Sequence, residues 1–243
     1  MKNLNDLLVH RWLKEILAAQ PPSTLNFVVE VGVGNGQHAA LVRRHSRHYF
    51  SLDRERRLRA LDVIGDAERL PFASGRVSLV VITEVLEHLQ NPVEALREIS
   101  RVLQPGGIVI MSTPFLHGIH EEPSDYWRFT EYGLELMLQK SGLEFEELRR
   151  RGWLLSACSA MVWYALLSSS SWIRQNSPLG WLWAPVHWAI EQLSQVWWRA
   201  EAEFVSRIPG TKVYHAGERS RGFVGRLLQW PLGYVTLARR PYA

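Results

Sequence analysis

Cysteine is almost absent from this chain, and its scarcity excludes two kinds of construction. Cys158 is the only cysteine in 243 residues, so no intramolecular disulfide and no multi-cysteine metal site can form. The amino-terminal residues also lack the apolar stretch of a signal peptide, because Asp6, His10 and Arg11 interrupt it. We therefore expect a cytoplasmic protein without a disulfide framework, and no spacing of His and acidic residues predicts a metal site.

The last glycine of the dinucleotide-binding pattern is also missing, although the first apolar run ends in three glycines at positions 32, 34 and 36. Residues 27–36 read F-V-V-E-V-G-V-G-N-G, with Gln37 where the dinucleotide pattern G-x-G-x-x-G has its last glycine. A β-branched run that ends in glycines predicts a buried parallel strand followed by a turn into a helix. Such a turn forms a backbone hollow for a ligand at the carboxyl edge of a sheet. A tight turn without a ligand is the alternative.

Apolar runs alternating with helical patterns predict an α/β fold. Short runs end at Asp53 and at Gly65, and residues 77–83, V-S-L-V-V-I-T, form the clearest buried strand. Five strands joined by crossovers make a doubly wound sheet whose ligand lies at the carboxyl ends of the strands. The later strands are predicted at 108–111, 143–149 and 233–238, and the main helices at 4–19, 92–103, 131–141 and 185–206.

Asp53 closes the second predicted strand. It lies 17 residues after Gly36, close to the spacing at which βαβ folds place a carboxylate on a ribose. Alternatively, the Asp53 carboxylate caps a helix or forms an ion pair with Arg54 or Arg57. The preceding glycine turn favours the ribose interpretation.

Five ordered pieces over roughly residues 25–115 carry a resemblance to a known family. The pieces are V-E-V-G-V-G-N-G, Asp53, G-D-A-E-R-L-P-F, T-E-V-L-E-H and L-Q-P-G-G. Together they resemble the class I S-adenosylmethionine-dependent methyltransferases, of the small-molecule "methyltransferase type 11" kind that includes quinone-biosynthesis enzymes. The resemblance implies a Rossmann-like, doubly wound seven-stranded sheet, mostly parallel, with strand seven antiparallel. It also implies S-adenosyl-L-methionine as the cofactor.

The same resemblance implies a set of cofactor-binding residues. In the family, the glycine loop approaches the amino acid part of the cofactor, the acid after strand two binds the ribose, and the acid after strand three contacts the adenine. The end of strand four lies beside the sulfonium. The matching positions are Glu30, Gly32, Gly34, Gly36, Asp53, Asp66, Ala67, Glu68, Thr83 and Glu84.

The segment from Thr113 to Thr130 resembles the loop after strand five in bacterial methyltransferases that accompany glycan and polysaccharide biosynthesis. A histidine in this loop could take a hydroxyl proton, since its pKa lies near neutrality. His120 is the first candidate for this general base, and His117 and His88 are its competitors. Arg128 could hold an anionic group, and Tyr126 offers a flat face to a sugar. A structured loop in which Asp125 and Arg128 pair with each other is the alternative.

A tryptophan-rich segment separates the sixth and seventh predicted strands. Residues 153–230 contain nine of the eleven tryptophans, and Arg174 is the only formal charge between Gly152 and Ile190. Three interpretations stay open: a helical lid over the site, an interfacial surface at residues 153–206 that touches a membrane, and a subunit contact in a homo-oligomer. We expect a methyltransferase core at residues 1–150, the helical insertion at 151–231 and the last core strand at 232–243.

The expected function is methyl transfer to a small-molecule or glycan acceptor, with O-methylation favoured by the histidine-rich loop. A non-catalytic cofactor-fold scaffold and an NAD(P)-dependent oxidoreductase are the alternatives. The net charge is only +4, and no nucleic-acid partner is expected. Residues 144–243 hold 12 Lys+Arg against 7 Asp+Glu, which we interpret as a solvated basic face. A membrane-touching insertion would place the protein peripherally at the inner face of the membrane.

Overall fold

A mixed eight-stranded sheet carries the fold in the computed structural model, which describes residues 4–21, 25–56, 59–207, 212–213 and 231–242. Its strand order is β3-β2-β1-β4-β5-β8-β6-β7. The strands are β1 Phe27–Val31, β2 His48–Asp53, β3 Val63–Ile64, β4 Val77–Thr83, β5 Leu103–Pro114, β6 Glu144–Arg151, β7 Lys212–Val213 and β8 Gly233–Arg239.

The sheet confirms the predicted fold class. Strands β1 to β5 pair in parallel, and β8, at the predicted place of strand seven, pairs antiparallel with both β5 and β6. The two-residue strand β7, which pairs antiparallel with β6, was not predicted. Because strands β1 to β5 run the same way, their carboxyl ends share one edge of the sheet, where the site lies.

Six α-helices cover the two faces of the sheet in the described part of the chain. They are α1 Leu4–Ala19, α2 Ala39–Arg44, α3 Pro92–Val102, α4 Glu131–Lys140, α5 Leu154–Asn176 and α6 Ala184–Arg207. Short 3-10 helices lie at Leu86–His88 and Gly180–Trp183. Helix α1 has the predicted bounds, and Thr130 caps α4 by accepting the Gly133 N–H at 3.1 Å.

Strand β4 shows why two hydrophobic cores form. Val80 and Ile82 point into the core that contains α3 and α4, whereas Leu79 and Val81 point into the core that contains α1 and α6. Successive side chains of a strand face opposite sides, so a strand with helices on both faces must be apolar throughout. Helices α5 and α6 therefore lie on the α1 side of the sheet.

Strand β5 begins earlier than predicted, at Leu103 instead of residue 108. Leu103 pairs with Val77 and Ile108 pairs with Leu79, so the proline-glycine segment forms a bulge within the strand. Gly106 in this bulge has a φ of 73°, and a Cβ there would lie 2.3 Å from a ring carbon of Tyr242. The bulge thus depends on a glycine where the carboxyl-terminal residues cross it.

Three consecutive arginines at the end of β6 do not belong to a solvated basic face, whereas Arg174, Arg199 and Arg207 are exposed. Arg149, Arg150 and Arg151 are all buried. They form ion pairs with Glu15 at 2.8 Å, Glu131 at 2.6 Å and Glu84 at 3.1 Å, respectively. Charges are buried at tolerable cost only when they are paired, so these residues are internal supports of the fold.

Candidate functional site

The glycine turn after β1 forms the hollow that the sequence predicts. Gly32 has a φ of 70°, and a Cβ there would lie 2.2 Å from Cγ2 of Val85. Gly34 has a φ of 52°, and a Cβ there would meet no atom within 4 Å. Gly32 is therefore needed for packing, while the space beside Gly34 is open to a ligand. Gly36, with a φ of 74°, completes the turn before α2.

Asp53 is tied directly to this turn. Its Oδ2 accepts the Gly34 N–H at 2.8 Å, and its Oδ1 accepts the Glu55 N–H at 3.1 Å. The carboxylate thus fixes the end of β2 against the glycine hollow. No ion pair links Asp53 to an arginine within the described residues.

The loop after β3 holds the second predicted acid. Oδ1 of Asp66 accepts the Glu68 N–H at 2.9 Å, and Ala67 between them is buried. The Glu68 carboxylate accepts hydrogen bonds from the backbone N–H and the side-chain amide of Asn91. Asp66 and Ala67 therefore lie in the loop that follows β3, and Glu68 connects this loop to the start of α3.

Glu30 is buried within the sheet, with 2% of its surface exposed. The hydroxyl of Tyr49 on β2 donates a hydrogen bond to its Oε2 at 2.5 Å. Burial raises the pKa of Glu30 to about 7, although the Tyr49 hydrogen bond works in the opposite direction. Glu30 is thus an acid poised to change charge near neutral pH, and a cation beside it would favour its ionised form.

The end of β4 depends on an arginine that the sequence analysis missed. Glu84 follows Thr83 with a φ of 54°, an unusual conformation for a residue other than glycine. Its Oε1 accepts the Ser112 hydroxyl at 2.7 Å and lies 3.1 Å from Nη1 of the buried Arg151. The run of three arginines was the sequence feature that could have indicated this arginine, because consecutive charged residues are unusual at the end of a half-buried strand.

Charged residues of the loop after β5 pair with each other. Arg128 donates two hydrogen bonds to the two carboxylate oxygens of Asp125, each at 2.7 Å, and this pair holds the pKa of Asp125 far below its ordinary value. Arg128 also donates to the carbonyl oxygens of His117 and Gly118. The structure therefore shows the pairing that was the alternative to anion binding. Tyr126 is exposed and remains accessible to a ligand.

The three candidate histidines lie next to one another. The ring centroids of His88 and His120 are 4.8 Å apart, and those of His120 and His117 are 4.7 Å apart. Burial, followed by the neighbouring His117, lowers the pKa of His120. Beside His88 lies the fully buried carboxyl of Glu87, whose pKa is raised well above its ordinary value by burial and by the charge of Glu84.

An apolar cavity of about 430 Å³ opens between this loop and the helical insertion. Helices α1, α5 and α6 and the loop after β5 all contribute to its wall. The lining residues are Leu4, Phe115, Leu116, His117, Gly118, Ala157, Ala160, Met161, Tyr164, Trp198 and Leu232. His117 is thus the candidate histidine that faces a space large enough for a small organic group.

Comparison with known proteins identifies the part of the chain that contains the glycine turn, Asp53, Asp66 and Glu84. A family model described as a methyltransferase domain matches residues 29–111. This domain is a class I S-adenosylmethionine-dependent methyltransferase domain. The family implies S-adenosylmethionine as the cofactor, and the open space at Gly34, whose N–H binds the Asp53 carboxylate, leaves room for such a ligand. The methyltransferase match also favours this cofactor over a nicotinamide.

The methyltransferase domain is similar to proteins with different acceptors. A probable S-adenosylmethionine-dependent methyltransferase of Mycolicibacterium smegmatis is 33% identical over 36% of this chain and 37% of its own length. A malonyl-[acyl-carrier protein] O-methyltransferase of Marinomonas sp. is 28% identical over 47% of each chain. A ubiquinone/menaquinone biosynthesis C-methyltransferase of Rubrivivax gelatinosus is 30% identical over 43% of this chain and 47% of its own length. The chain thus spans less than half the length of these relatives.

A solved structure extends the fold similarity beyond the methyltransferase domain. The putative sarcosine dimethylglycine methyltransferase from Galdieria sulphuraria superposes with a TM-score of 0.57 over 96% of this chain and 85% of its own, at 16% identity. At this identity the similarity concerns the fold alone. The acceptor must therefore be argued from the residues of this chain.

Replacing Glu30 by glutamine is expected to change how stability depends on pH. The folded-state pKa of Glu30, about 7, lies above its ordinary value of 4.5, so the folded protein holds this proton more tightly than the unfolded chain. The resulting stabilisation is complete below about pH 4.5 and is lost as pH rises through 7, a change on the order of 3 kcal/mol. Urea unfolding of the unaltered protein and of Glu30→Gln between about pH 4.5 and 8 measures it.

Tyr49→Phe provides the matched test of the hydrogen bond. Without the hydroxyl, the ionised form of Glu30 loses its donor, so the loss of stability should move to higher pH. A difference between the unaltered protein and Glu30→Gln that stays constant with pH would refute the assignment.

Proposed function

We propose that this protein transfers the methyl group of S-adenosylmethionine to a hydroxyl group of an acceptor that carries an apolar portion. The observation that supports this proposal best is the apolar cavity beside the carboxyl edge of the sheet, with one histidine in its wall. The bound cofactor would supply an electrophilic methyl group, so the protein chiefly aligns a nucleophile and excludes water.

The cofactor is proposed to occupy the edge formed by β1, β2, β4 and the loop after β3. Gly34 leaves room for it, Asp53 accepts its ribose hydroxyls, and Asp66 and Ala67 contact its adenine. Glu30, in its ionised form, faces the cationic amino acid part. Thr83 and Glu84 lie at the end of β4, where the sulfonium is expected.

The acceptor is proposed to place its apolar portion in the 430 Å³ cavity. A free sugar gains little from a wall made of leucine, alanine, methionine and tryptophan side chains, whereas burial of an alkyl or aromatic group is favourable. This argument narrows the expected glycan or small-molecule acceptor to an amphipathic one. The helical insertion then acts as the lid, because Ala157, Ala160 and Tyr164 of α5 close one side.

His117 is proposed as the general base, in place of His120. Its Nδ1 lies 2.9 Å from the Gly118 carbonyl, which fixes the proton on Nδ1 and leaves Nε2 to accept another. The bound cofactor would supply the methyl group to the acceptor oxygen, and Nε2 of His117 would take the hydroxyl proton that this oxygen loses. A hydroxyl with a high pKa benefits from such a base.

Asp53→Ala is expected to weaken S-adenosylmethionine binding by roughly 1–3 kcal/mol, because the ribose hydroxyls lose their acceptor. Calorimetric titration of the cofactor measures the effect. Asp62→Ala is the matched control: Asp62 accepts two hydrogen bonds from Ser51 but is not proposed to touch the cofactor. Equal affinity in Asp53→Ala and the unaltered protein would refute the cofactor assignment and would favour a non-catalytic scaffold.

Ala160→Trp is expected to fill the cavity and to lower kcat/KM at least about tenfold for an acceptor with an apolar portion, which corresponds to a loss of at least about 1.4 kcal/mol. Release of S-adenosylhomocysteine is measured with alkyl glycosides and alkylated phenols beside the unsubstituted compounds. Ala165→Trp introduces the same side chain at an exposed position of α5 and should leave the rate unchanged. A preference for the unsubstituted compounds would contradict the amphipathic acceptor.

His117→Ala is expected to reduce kcat about 10²–10⁴-fold, the usual contribution of a general base. Cofactor affinity should stay unchanged, since His117 faces the cavity and not the glycine turn. Single-turnover measurements separate the chemical step from product release. Loss of rate in His120→Ala without a loss in His117→Ala would return the role of base to His120.

We further propose that the tip of the helical insertion docks on a lipid bilayer. Helix α5, with 23 residues, is long and apolar enough to cross a membrane by length and composition alone. Its lower part instead lines the cavity and packs on α6, so an interfacial position suits it better than a transmembrane one. The tip exposes a group of large apolar side chains, namely Trp172, Leu179, Trp181, Leu182, Trp183, Val186 and Trp188. Tryptophan favours the membrane interface.

A Trp181→Ser/Trp188→Ser variant is expected to lose most of the flotation that the unaltered protein shows with phosphatidylcholine–phosphatidylglycerol vesicles at low salt. The reason is the loss of apolar area that enters the interface. Leu136→Ser removes an exposed apolar side chain from α4, away from the tip, and should float like the unaltered protein. Absence of flotation together with a dimer that the double substitution dissociates would show that the tip is a subunit contact.

A further inference from the structure

Glu87 is the least satisfied charged group in the described part of the chain. Its side chain is fully buried, and neither carboxylate oxygen has a hydrogen-bond partner among the described residues. An isolated buried carboxylate costs several kcal/mol unless a cation or a set of donors compensates it. A cation bound beside the Glu87 carboxylate would provide this compensation.

Two imidazole rings surround this carboxylate. Nε2 of His88 lies 3.8 Å from Oε1 of Glu87, and the ring of His120 packs against that of His88. The potential ligand atoms of Glu87, His88 and His120 all lie within 4.8 Å of one another. One carboxylate and two imidazoles form a known donor set for transition-metal ions.

Hydrogen bonds fix both rings in the tautomer that a metal site needs. Nδ1 of His88 lies 2.7 Å from the Ser124 carbonyl, and Nδ1 of His120 lies 3.2 Å from Oδ2 of Asp125. Each Nδ1 therefore carries the proton, which leaves the lone pair on Nε2. Metal-bound histidines usually donate their second N–H to a carbonyl or carboxylate in this way.

We propose that Glu87, His88 and His120 bind a divalent transition-metal ion, with Zn²⁺ as the best-fitting example. Tetrahedral Zn²⁺ sites place ligand atoms roughly 3.4 Å apart, so these ligand atoms, which lie within 4.8 Å of one another, would approach by up to about 1.4 Å. The ion would link the 3-10 helix after β4 to the loop after β5. Three protein ligands would leave at least one coordination position of the ion for water or another ligand.

The surrounding charges suit a cation. Arg128 is occupied by Asp125 and Arg151 by Glu84, so each of these pairs is close to neutral. With the ion bound, Glu87 would supply the negative charge, because a cation beside it favours the ionised carboxylate over the protonated one. Mg²⁺ prefers oxygen ligands and retains its water, so two imidazoles select against it.

The test is calorimetric titration of the tag-free, chelator-treated full chain with ZnCl₂, together with the visible absorption spectrum of the Co²⁺ form. We expect one ion per chain and an affinity at least about 100-fold weaker in Glu87→Gln and in His120→Ala, since each loses one direct ligand and even indirect ligand supports contribute 10–100-fold. His48→Ala removes an exposed histidine remote from the three ligands and should bind Zn²⁺ normally. No acceptor is needed, so this result is independent of the proposed methyl transfer.

Three results would overturn the site. One is the absence of Zn²⁺ and Co²⁺ binding to the unaltered protein, which would leave Glu87 as a neutral buried acid. Another is equal Zn²⁺ affinity in the unaltered protein and in His120→Ala, whose half-buried side chain can be removed without opening the core. Displacement of Zn²⁺ by an equal concentration of Mg²⁺ would refute the choice of a transition metal. Circular dichroism of each variant verifies that it is folded.

Discussion

Arg151 joins four strands at the edge of the sheet where the site lies. Its guanidinium, fully buried at the end of β6, pairs with Glu84 after β4 and donates to the Thr113 carbonyl on β5 at 2.7 Å. It also lies so close to the first residue of β8 that a Cβ on Gly233 would be 2.0 Å from Nη2. Because a buried guanidinium must keep its partners, this one group constrains the ends of β4, β5 and β6 and the start of β8 together.

The site inherits its geometry from this constraint. Glu84 adopts its unusual φ of 54° while its carboxylate is held by Arg151 and Ser112. The chain then turns into the 3-10 helix that carries Glu87 and His88. On the other side, Thr113 lies at the end of β5, just before the loop that returns His117 and His120 to the same edge. Local strain of this kind persists only where surrounding contacts over-determine it, and here the arginine supplies those contacts.

Much of the fold could be predicted because its signals are local. Helix α1 has a continuous apolar stripe and a double proline after it, and β4 is apolar throughout because both its faces are covered. The arginines of β6 could not be predicted in the same way. Their partners Glu84 and Glu131 are distant in the sequence, and a charged run ordinarily indicates solvent exposure. The pairing of Asp125 with Arg128 was foreseen only as an alternative, since residues three apart in a loop need a defined turn to meet.

The cluster of Glu87, His88 and His120 also depends on a contact between residues distant in the sequence. Glu87 and His88 are adjacent in the chain, but His120 reaches them only through the course of the loop after β5. No spacing pattern encodes that contact, so a metal site was not expected from the sequence. Two interactions hold His120 beside His88 in the structure. They are the Asp125–Arg128 ion pair and the hydrogen bond from His88 to the Ser124 carbonyl.

The hairpin formed by α5 and α6 lines the apolar cavity at its base and exposes apolar side chains to the surroundings at its tip. Near the sheet, α5 contributes Ala157, Ala160 and Tyr164 to the apolar cavity, while its far end and the start of α6 expose tryptophans and leucines with Arg174 as the single formal charge. An acceptor with an apolar portion is most concentrated at a bilayer surface, because the same burial that favours the cavity also favours the lipid. A tip that rests on the bilayer would hold the cavity near that reservoir. The proposed acceptor and the proposed docking surface therefore follow from one property, the continuity of apolar surface from the tip of the hairpin to its base.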